Sequence, residues 1–141
     1  MKYYSAEWIE AVKQKSNVDT LYLMKARDLD FVIENLVTDC PGGVDLRVRW
    51  ELKKGKILSV KREESPAPSA WRQTPWDAKE AFVKGTASYD TYAKFHKKEL
   101  EALDSMVRGI YRVEADMMKL MPKMNAITAF TELIASVPCE F

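Results

Sequence analysis

The segment VDLRVRWELK, residues 44–53, alternates strictly between apolar and polar side chains, and this pattern limits the possible folds more than any other. Successive side chains of a strand point to opposite faces of a sheet, so the segment predicts a strand with one packed face and one face in water. The predicted packed face contains Val44, Leu46, Val48, Trp50 and Leu52, and the predicted wet face contains Asp45, Arg47, Arg49, Glu51 and Lys53. The residues that follow, KKGK and then ILSVKREE, supply a turn and a return strand, which predicts an antiparallel hairpin.

Further strands are predicted on both sides of this hairpin. Residues 29–38, LDFVIENLVT, are rich in branched and aromatic side chains, and DCPGG after them is typical of a turn. Residues 71–85, WRQTPWDAKEAFVKG, predict one or two strand pieces that end at Gly85. Residues 110–115, IYRVEA, predict a last strand.

Helices are predicted before and after the strands. Ser5 is a good N-cap for a helix over residues 6–16, and Ser88 is one for a helix that continues to Gly109. Together with the strands, these helices predict an α+β domain in which helices cover one face of a sheet. Residues 1–141 contain no repeat and no long linker, so a single domain is expected.

Composition excludes several classes of function. The sequence has 22 basic and 21 acidic residues, so its net charge of +1 gives no attraction to nucleic acid. No apolar run approaches the roughly 18–20 residues that span a bilayer, and the first residues lack the apolar stretch of a secretory signal. We therefore expect a cytoplasmic protein in which Cys40 and Cys139 are free thiols.

Candidate catalytic residues are few. His96 is the one histidine, and Cys40 lies in a turn, but no nucleophile motif, zinc motif or phosphate loop accompanies either residue. An enzyme that uses His96 or Cys40 would have to assemble its partners from distant parts of the chain. The sequence therefore predicts no catalytic residue, no metal site and no cofactor.

The wet face of the hairpin is basic, because Arg47, Arg49 and Lys53 share it. Such a run is typical of a solvated sheet surface. It is also a candidate for transient contact with an anionic membrane surface, where each basic residue contributes about 1 kcal/mol. Nucleic acid is not expected there, because Trp50 points to the opposite face and offers no stacking platform.

The segment VEADMMKLMPKM, residues 113–124, contains four methionines and Pro122. Asp116 is a good N-cap for a final helix, in which Pro122 either forms a kink or begins the main part. Methionine is flexible and polarisable, so it fills irregular cores and also suits binding surfaces. Spacing alone leaves a core, a ligand cavity and a partner-binding helix as alternatives.

The second half of the chain carries a recognisable series of short motifs. They are Val83-Lys84-Gly85, Ser88-Tyr89-Asp90-Thr91-Tyr92, Met106-Val107-Arg108-Gly109, Tyr111-Arg112-Val113 and Ala115-Asp116-Met117-Met118-Lys119-Leu120. This series resembles the sterol carrier protein 2 family of lipid-transfer domains, and the resemblance extends over roughly residues 18–137. Ala115 departs from the family pattern, which has glycine before the aspartate.

The resemblance implies a five-stranded, mostly antiparallel sheet with helices over one face and an apolar cavity between them. It also implies a carrier of a fatty acid, acyl chain, sterol or similar lipid that performs no catalysis. The side chains predicted to line the cavity are Val48, Trp50, Trp76, Phe82, Tyr92, Phe95, Met106, Tyr111, Met118, Met121, Met124 and Ile127. The alternative is a protein-interaction module whose Met-rich C-terminal helix is a docking or homodimer surface.

Overall fold

The computed structural model describes residues 1–141, which form five strands and six α-helices. The strands are β1 (Val32–Cys40), β2 (Val44–Lys53), β3 (Lys56–Pro66), β4 (Val83–Ser88) and β5 (Arg112–Ala115). The helices are α1 (Ala6–Val18), α2 (Thr20–Ala26), α3 (Tyr89–His96), α4 (Ala102–Val107), α5 (Met117–Leu120) and α6 (Met124–Ala135). Two short 3₁₀ turns lie at Ala70–Gln73 and Met121–Lys123.

All five strands belong to one sheet, in the order β3-β2-β1-β4-β5. The β1–β2, β2–β3 and β4–β5 pairs are antiparallel, and β1 and β4 are parallel. This arrangement confirms the predicted α+β class with a five-stranded, mostly antiparallel sheet. The central strand is β1, which is hydrogen-bonded on both sides.

One face of the sheet is covered by helices. Trp50 of β2 lies in the middle of this helix-covered face, and its ring contacts Trp8 of α1 and Phe130 of α6 at centroid distances of 6.4 and 5.6 Å. The predicted alternation is confirmed, because Leu46, Val48, Trp50 and Leu52 are each at most 3% exposed. Burial of these apolar side chains holds the helices on the sheet.

The opposite face, here called the outer face, is not simply wet. Asp45 of β2 is fully buried there, and its carboxylate accepts hydrogen bonds from the Ser69 backbone N–H at 2.9 Å and from Arg72 Nε at 2.8 Å. These bonds hold residues 67–82 over the outer face. Of the one or two strand pieces predicted in residues 71–85, only β4 is present. It begins at Val83, pairs with the central strand β1, and continues past Gly85 to Ser88.

The helix predicted from Ser88 to Gly109 is interrupted. Ser88 caps α3 as predicted, since its hydroxyl accepts the Thr91 N–H, but α3 ends at His96 and α4 begins at Ala102. Lys98 between them has a φ of 62°, a left-handed conformation that ends a helix. The local pattern did not predict this break, because a residue that ends a helix in the left-handed conformation is usually glycine, and here it is a lysine.

The final helix begins at its predicted cap, since the Asp116 carboxylate accepts the Met118 N–H. Pro122 then divides it, because proline supplies no N–H for a continuous helix. A 3₁₀ turn at Met121–Lys123 separates α5 from α6. The short helix α2 was not predicted; Asp19 caps it by accepting the Tyr22 N–H.

Candidate functional site

A pocket lies on the helix-covered face, between the sheet and helices α3, α4 and α6. Its volume is about 180 Å³. An engineered cavity of about 150 Å³ holds benzene, so this pocket accepts a ring-sized group or a short chain without rearrangement. Of its 17 lining residues, 13 are hydrophobic.

The floor of the pocket is formed by the sheet, chiefly Ile33 and Asn35 of β1 and Val83 and Gly85 of β4. These residues are neighbours because the parallel β1–β4 register aligns Ile33 with Val83 and Asn35 with Gly85. The floor therefore depends on the one parallel strand pair of the sheet.

Asn35 is a polar residue in an apolar environment, and its carbonyl oxygen is fully used. The Asn35 Oδ1 atom accepts hydrogen bonds from Trp50 Nε1 at 2.8 Å and from the Tyr4 hydroxyl at 3.3 Å. Beside it, the Tyr92 hydroxyl donates to the Gly85 carbonyl at 2.7 Å. These bonds satisfy polar groups under the pocket and fix the positions of the aromatic rings.

Tyr111 lies directly over Gly85. A Cβ atom at Gly85 would be only 2.7 Å from the Tyr111 hydroxyl oxygen, so the glycine is required for this ring to reach the floor. Burial raises the pKa of Tyr111 to about 12, which keeps the hydroxyl protonated at neutral pH. Unlike Tyr4 and Tyr92, Tyr111 makes no hydrogen bond through its hydroxyl to another protein group.

The walls of the pocket come from α3 and α6. Tyr92, Phe95 and His96 line it from α3, and Ile127 and Phe130 are among the lining residues of α6. The rim is formed by Leu100 before α4, by Ala102 at the start of α4 and by Thr131 of α6. Ala102 and Thr131 are exposed, so the pocket opens to solvent between α4 and α6.

His96 closes one end of the pocket and faces Cys139. The His96 Nε2 and Cys139 Sγ atoms are 3.6 Å apart. Burial lowers the pKa of His96, with a smaller contribution from Lys97, and burial raises the pKa of the Cys139 thiol. Both shifts favour the neutral forms, so this pair lacks the thiolate character of an activated cysteine.

Four of the predicted cavity residues lie together in this pocket: Tyr92, Phe95, Tyr111 and Ile127. Val48 and Trp50 lie in the core, each with no exposed area. Phe82 stacks on Phe31 with ring centroids 3.9 Å apart, and Met106 is half-buried on α4 outside the pocket lining.

Trp76 lies on the other side of the sheet. It lines a small polar pocket on the outer face, whose volume of about 20 Å³ is that of a single water site. Its indole N–H donates to the Ala81 carbonyl at 3.0 Å.

The methionines of α5, of the following turn and of the first position of α6 point outwards. Met118 is 87% exposed, Met121 68%, Met117 47% and Met124 41%. None of the four is among the residues that line the pocket. They form an exposed apolar surface, here called the methionine surface (Met117, Met118, Met121 and Met124).

Several lining residues were not predicted, notably Asn35, Val83, Gly85, Thr131 and Ile134. Asn35 gave a signal, since it is an uncharged polar residue inside the apolar run VIENLV. Ile127, Thr131 and Ile134 recur at helical spacing on α6. The other positions depend on the β1–β4 register, which spacing along the chain does not reveal.

The basic residues of the outer face are largely paired with carboxylates. Arg47 lies 2.8 Å from Glu63, and Arg49 lies 2.7 Å from Glu34 and 2.6 Å from Glu80. Lys53 is exposed. No three His, Cys, Asp or Glu side chains come close enough to hold a metal ion.

The similarity of this chain to known proteins is detected in its structure and not in its sequence. No model of a protein family matches the sequence, and a search of curated proteins finds no match. A crystal structure of sterol carrier protein 2 superposes with a TM-score of 0.77 at 20% identity, covering 97% of this chain and 100% of that chain. The chain has the sterol carrier protein 2 fold.

Other solved structures agree with this assignment of the sterol carrier protein 2 fold. A conserved hypothetical protein from Thermus thermophilus, described as a candidate sterol carrier protein, gives a TM-score of 0.75 at 20% identity and covers 99% of this chain and 92% of that chain. A palmitated sterol carrier protein 2-like protein from Aedes aegypti gives 0.52 at 17% identity, covering 89% and 94% of the two chains. The family resemblance found in the sequence is thus confirmed at the level of the fold.

None of the helices combines the length and the apolar character needed to cross a bilayer.

Proposed function

We propose that the chain binds and carries a hydrophobic small molecule, of the lipid class, in the pocket between the sheet and α6. The observation that carries this proposal is an apolar pocket whose lining contains no lysine, arginine, aspartate or glutamate. Pockets of this kind bury most of a ligand's surface and use few polar groups. Each buried methylene contributes about 0.8 kcal/mol, so an alkyl chain gains affinity as it enters.

Carriage without catalysis is the activity that this site supports. Burial favours the neutral forms of His96, which lines the pocket, and of Cys139, which lies beside His96. Cys40 is buried elsewhere in the core, and burial raises its pKa to about 12. The palmitated Aedes aegypti protein, which shares the fold, is a relevant precedent for a lipid occupant.

Val83→Phe tests the proposed site, because Val83 is 7% exposed and lines the pocket floor. The larger ring fills space that a ligand needs. We expect the uncharged probe N-phenyl-1-naphthylamine to bind the unmodified chain saturably, with one site, and to bind Val83→Phe at least about tenfold more weakly. Fluorescence titration measures both affinities.

The matched control is Val107→Phe, because Val107 is 82% exposed on α4 and does not line the pocket. This variant should bind the probe like the unmodified chain. Native mass spectrometry of the purified protein adds a direct search for co-purified lipid. Absence of saturable probe binding, or equal binding by Val83→Phe, would contradict the proposal.

Contact with an anionic membrane through Arg47, Arg49 and Lys53 stays a prediction. Arg47 and Arg49 already pair with carboxylates, so Lys53 is the member of the set most available to a lipid headgroup. In the proposed function, this membrane contact is transient and accompanies ligand exchange.

The alternative function, a protein-interaction module, is favoured by the methionine surface. Its four side chains are between 41% and 87% exposed, and flexible methionines suit a helix-docking surface. If a second copy covers it, light scattering should detect a dimer that Met121→Asp converts to a monomer. A monomer at every protein concentration tested would reject a homodimer through this surface.

A further inference from the structure

The pocket discriminates against formal charge along its whole length. Its lining contains no acidic or strongly basic side chain, and its one titratable group near neutral pH, His96, is held neutral by burial. A carboxylate or phosphate placed inside would lose its hydration shell without gaining an ionic partner, which is strongly unfavourable.

The floor nevertheless offers a free hydroxyl to a ligand. Tyr111 reaches the sheet over Gly85, and its hydroxyl is not used by the protein, whereas the neighbouring Tyr4 and Tyr92 hydroxyls are both engaged. The Tyr111 hydroxyl faces the pocket, so a ligand that supplies an acceptor or a donor forms a hydrogen bond there that the protein itself does not make.

We infer that the ligand carries a single uncharged polar head group (an alcohol, ketone or ester), which binds the Tyr111 hydroxyl at the pocket floor. Its apolar part then extends past Phe95 and Ile127 towards the mouth. This inference rests on the proposed function and narrows its ligand class. It predicts that an uncharged lipid binds more tightly than the anion of a fatty acid.

The test uses four ligands with the same eight-carbon skeleton: octan-1-ol, methyl octanoate, octanoate and octane. Each displaces N-phenyl-1-naphthylamine from the unmodified chain at about pH 7, where the carboxylic acid is ionised. We expect octan-1-ol and methyl octanoate to bind at least about tenfold more tightly than octanoate. Octanoate binding as tightly as octan-1-ol would overturn the inference while leaving the proposed function intact.

The Tyr111→Phe variant tests the anchor. It removes one hydroxyl and keeps the ring, so octan-1-ol and methyl octanoate should bind about threefold to tenfold more weakly while octane is unaffected. Tyr89→Phe is the matched control, because Tyr89 is half-buried outside the pocket lining.

An unchanged affinity of Tyr111→Phe for octan-1-ol, or an equal loss for octane, would show that the hydroxyl is not the anchor and overturn the inference. Failure of all four ligands to displace the probe has a different meaning, because it would reject a lipid-binding pocket altogether.

Discussion

Asp45→Ala should lower the free energy of unfolding by about 2–4 kcal/mol, because the fully buried Asp45 carboxylate joins the sheet to the segment that covers its outer face. It accepts two hydrogen bonds from Arg72, at 2.8 and 2.9 Å, and two from Ser69, at 2.9 and 2.7 Å. It also accepts the Asp39 backbone N–H at 3.0 Å. Alanine removes this acceptor from Ser69, Asp39 and Arg72, of which only Arg72 keeps another, the Asp39 carboxylate. Urea unfolding followed by circular dichroism measures the change.

The same carboxylate makes stability depend on acid. The hydrogen bonds from Arg72, followed by those from Ser69, hold the pKa of Asp45 well below its usual range. The carboxyl of an unfolded aspartate has a pKa of about 3.9, so the contribution of Asp45 to stability is complete above that pH and is lost as the pH falls further. Asp45→Asn should lack this part of the acid dependence.

A surface ion pair provides the control for Asp45. Asp104 and Arg108 are 3.7 Å apart, and their side chains are 64% and 56% exposed. Asp104→Ala should change the free energy of unfolding by less than about 0.5 kcal/mol, because exposed pairs contribute little. A loss for Asp45→Ala no larger than that for Asp104→Ala would contradict the role assigned to the buried carboxylate.

Trp50→Ala should lower the free energy of unfolding by about 3–5 kcal/mol, the range for truncating a large aromatic side chain in a core. Trp50 has no exposed area, contacts the rings of Trp8 and Phe130, and donates its indole N–H to Asn35. Alanine removes the ring contacts and leaves Asn35 with one donor fewer. Thermal or urea unfolding measures the loss.

This experiment also distinguishes the two possible roles of Trp50. A residue that only lines the pocket would change probe affinity and leave stability almost intact, whereas a core residue changes stability first. Trp76→Ala is the matched control, because Trp76 is half-buried on the outer face and should cost clearly less. Equal losses for the two variants would contradict the assignment of Trp50 to the core.

The local pattern of the sequence was sufficient to predict the elements that depend on short-range physics. The alternation in residues 44–53 gave the strand β2, and Ser5, Ser88 and Asp116 each cap the helix predicted for them. The family resemblance then predicted the complete sheet. These features could be predicted because capping and face alternation are decided within a few residues.

The candidate site was harder to predict, because it depends on contacts between distant segments. Trp76 and Met118 are aromatic or flexible apolar residues of the kind that line lipid sites, yet one lies on the outer face and the other on the surface. The need for glycine at position 85 comes from Tyr111, which lies over it and is distant in sequence. Side-chain type indicated what a pocket needs, while strand register determined which residues form it.

The parallel pairing of β1 with β4 has a consequence for how the chain is made. Strands β1, β2 and β3 are contiguous in sequence, so this meander can form while later residues are still being synthesised on the ribosome. The other edge of β1 stays unpaired until β4 has been synthesised, since Ile33 of β1 pairs with Val83 of β4. Until β4 is made, β1 is an edge strand, and an exposed edge strand is a template for pairing with another chain. Newly made chains are therefore most prone to aggregate between the emergence of β3 and that of β4.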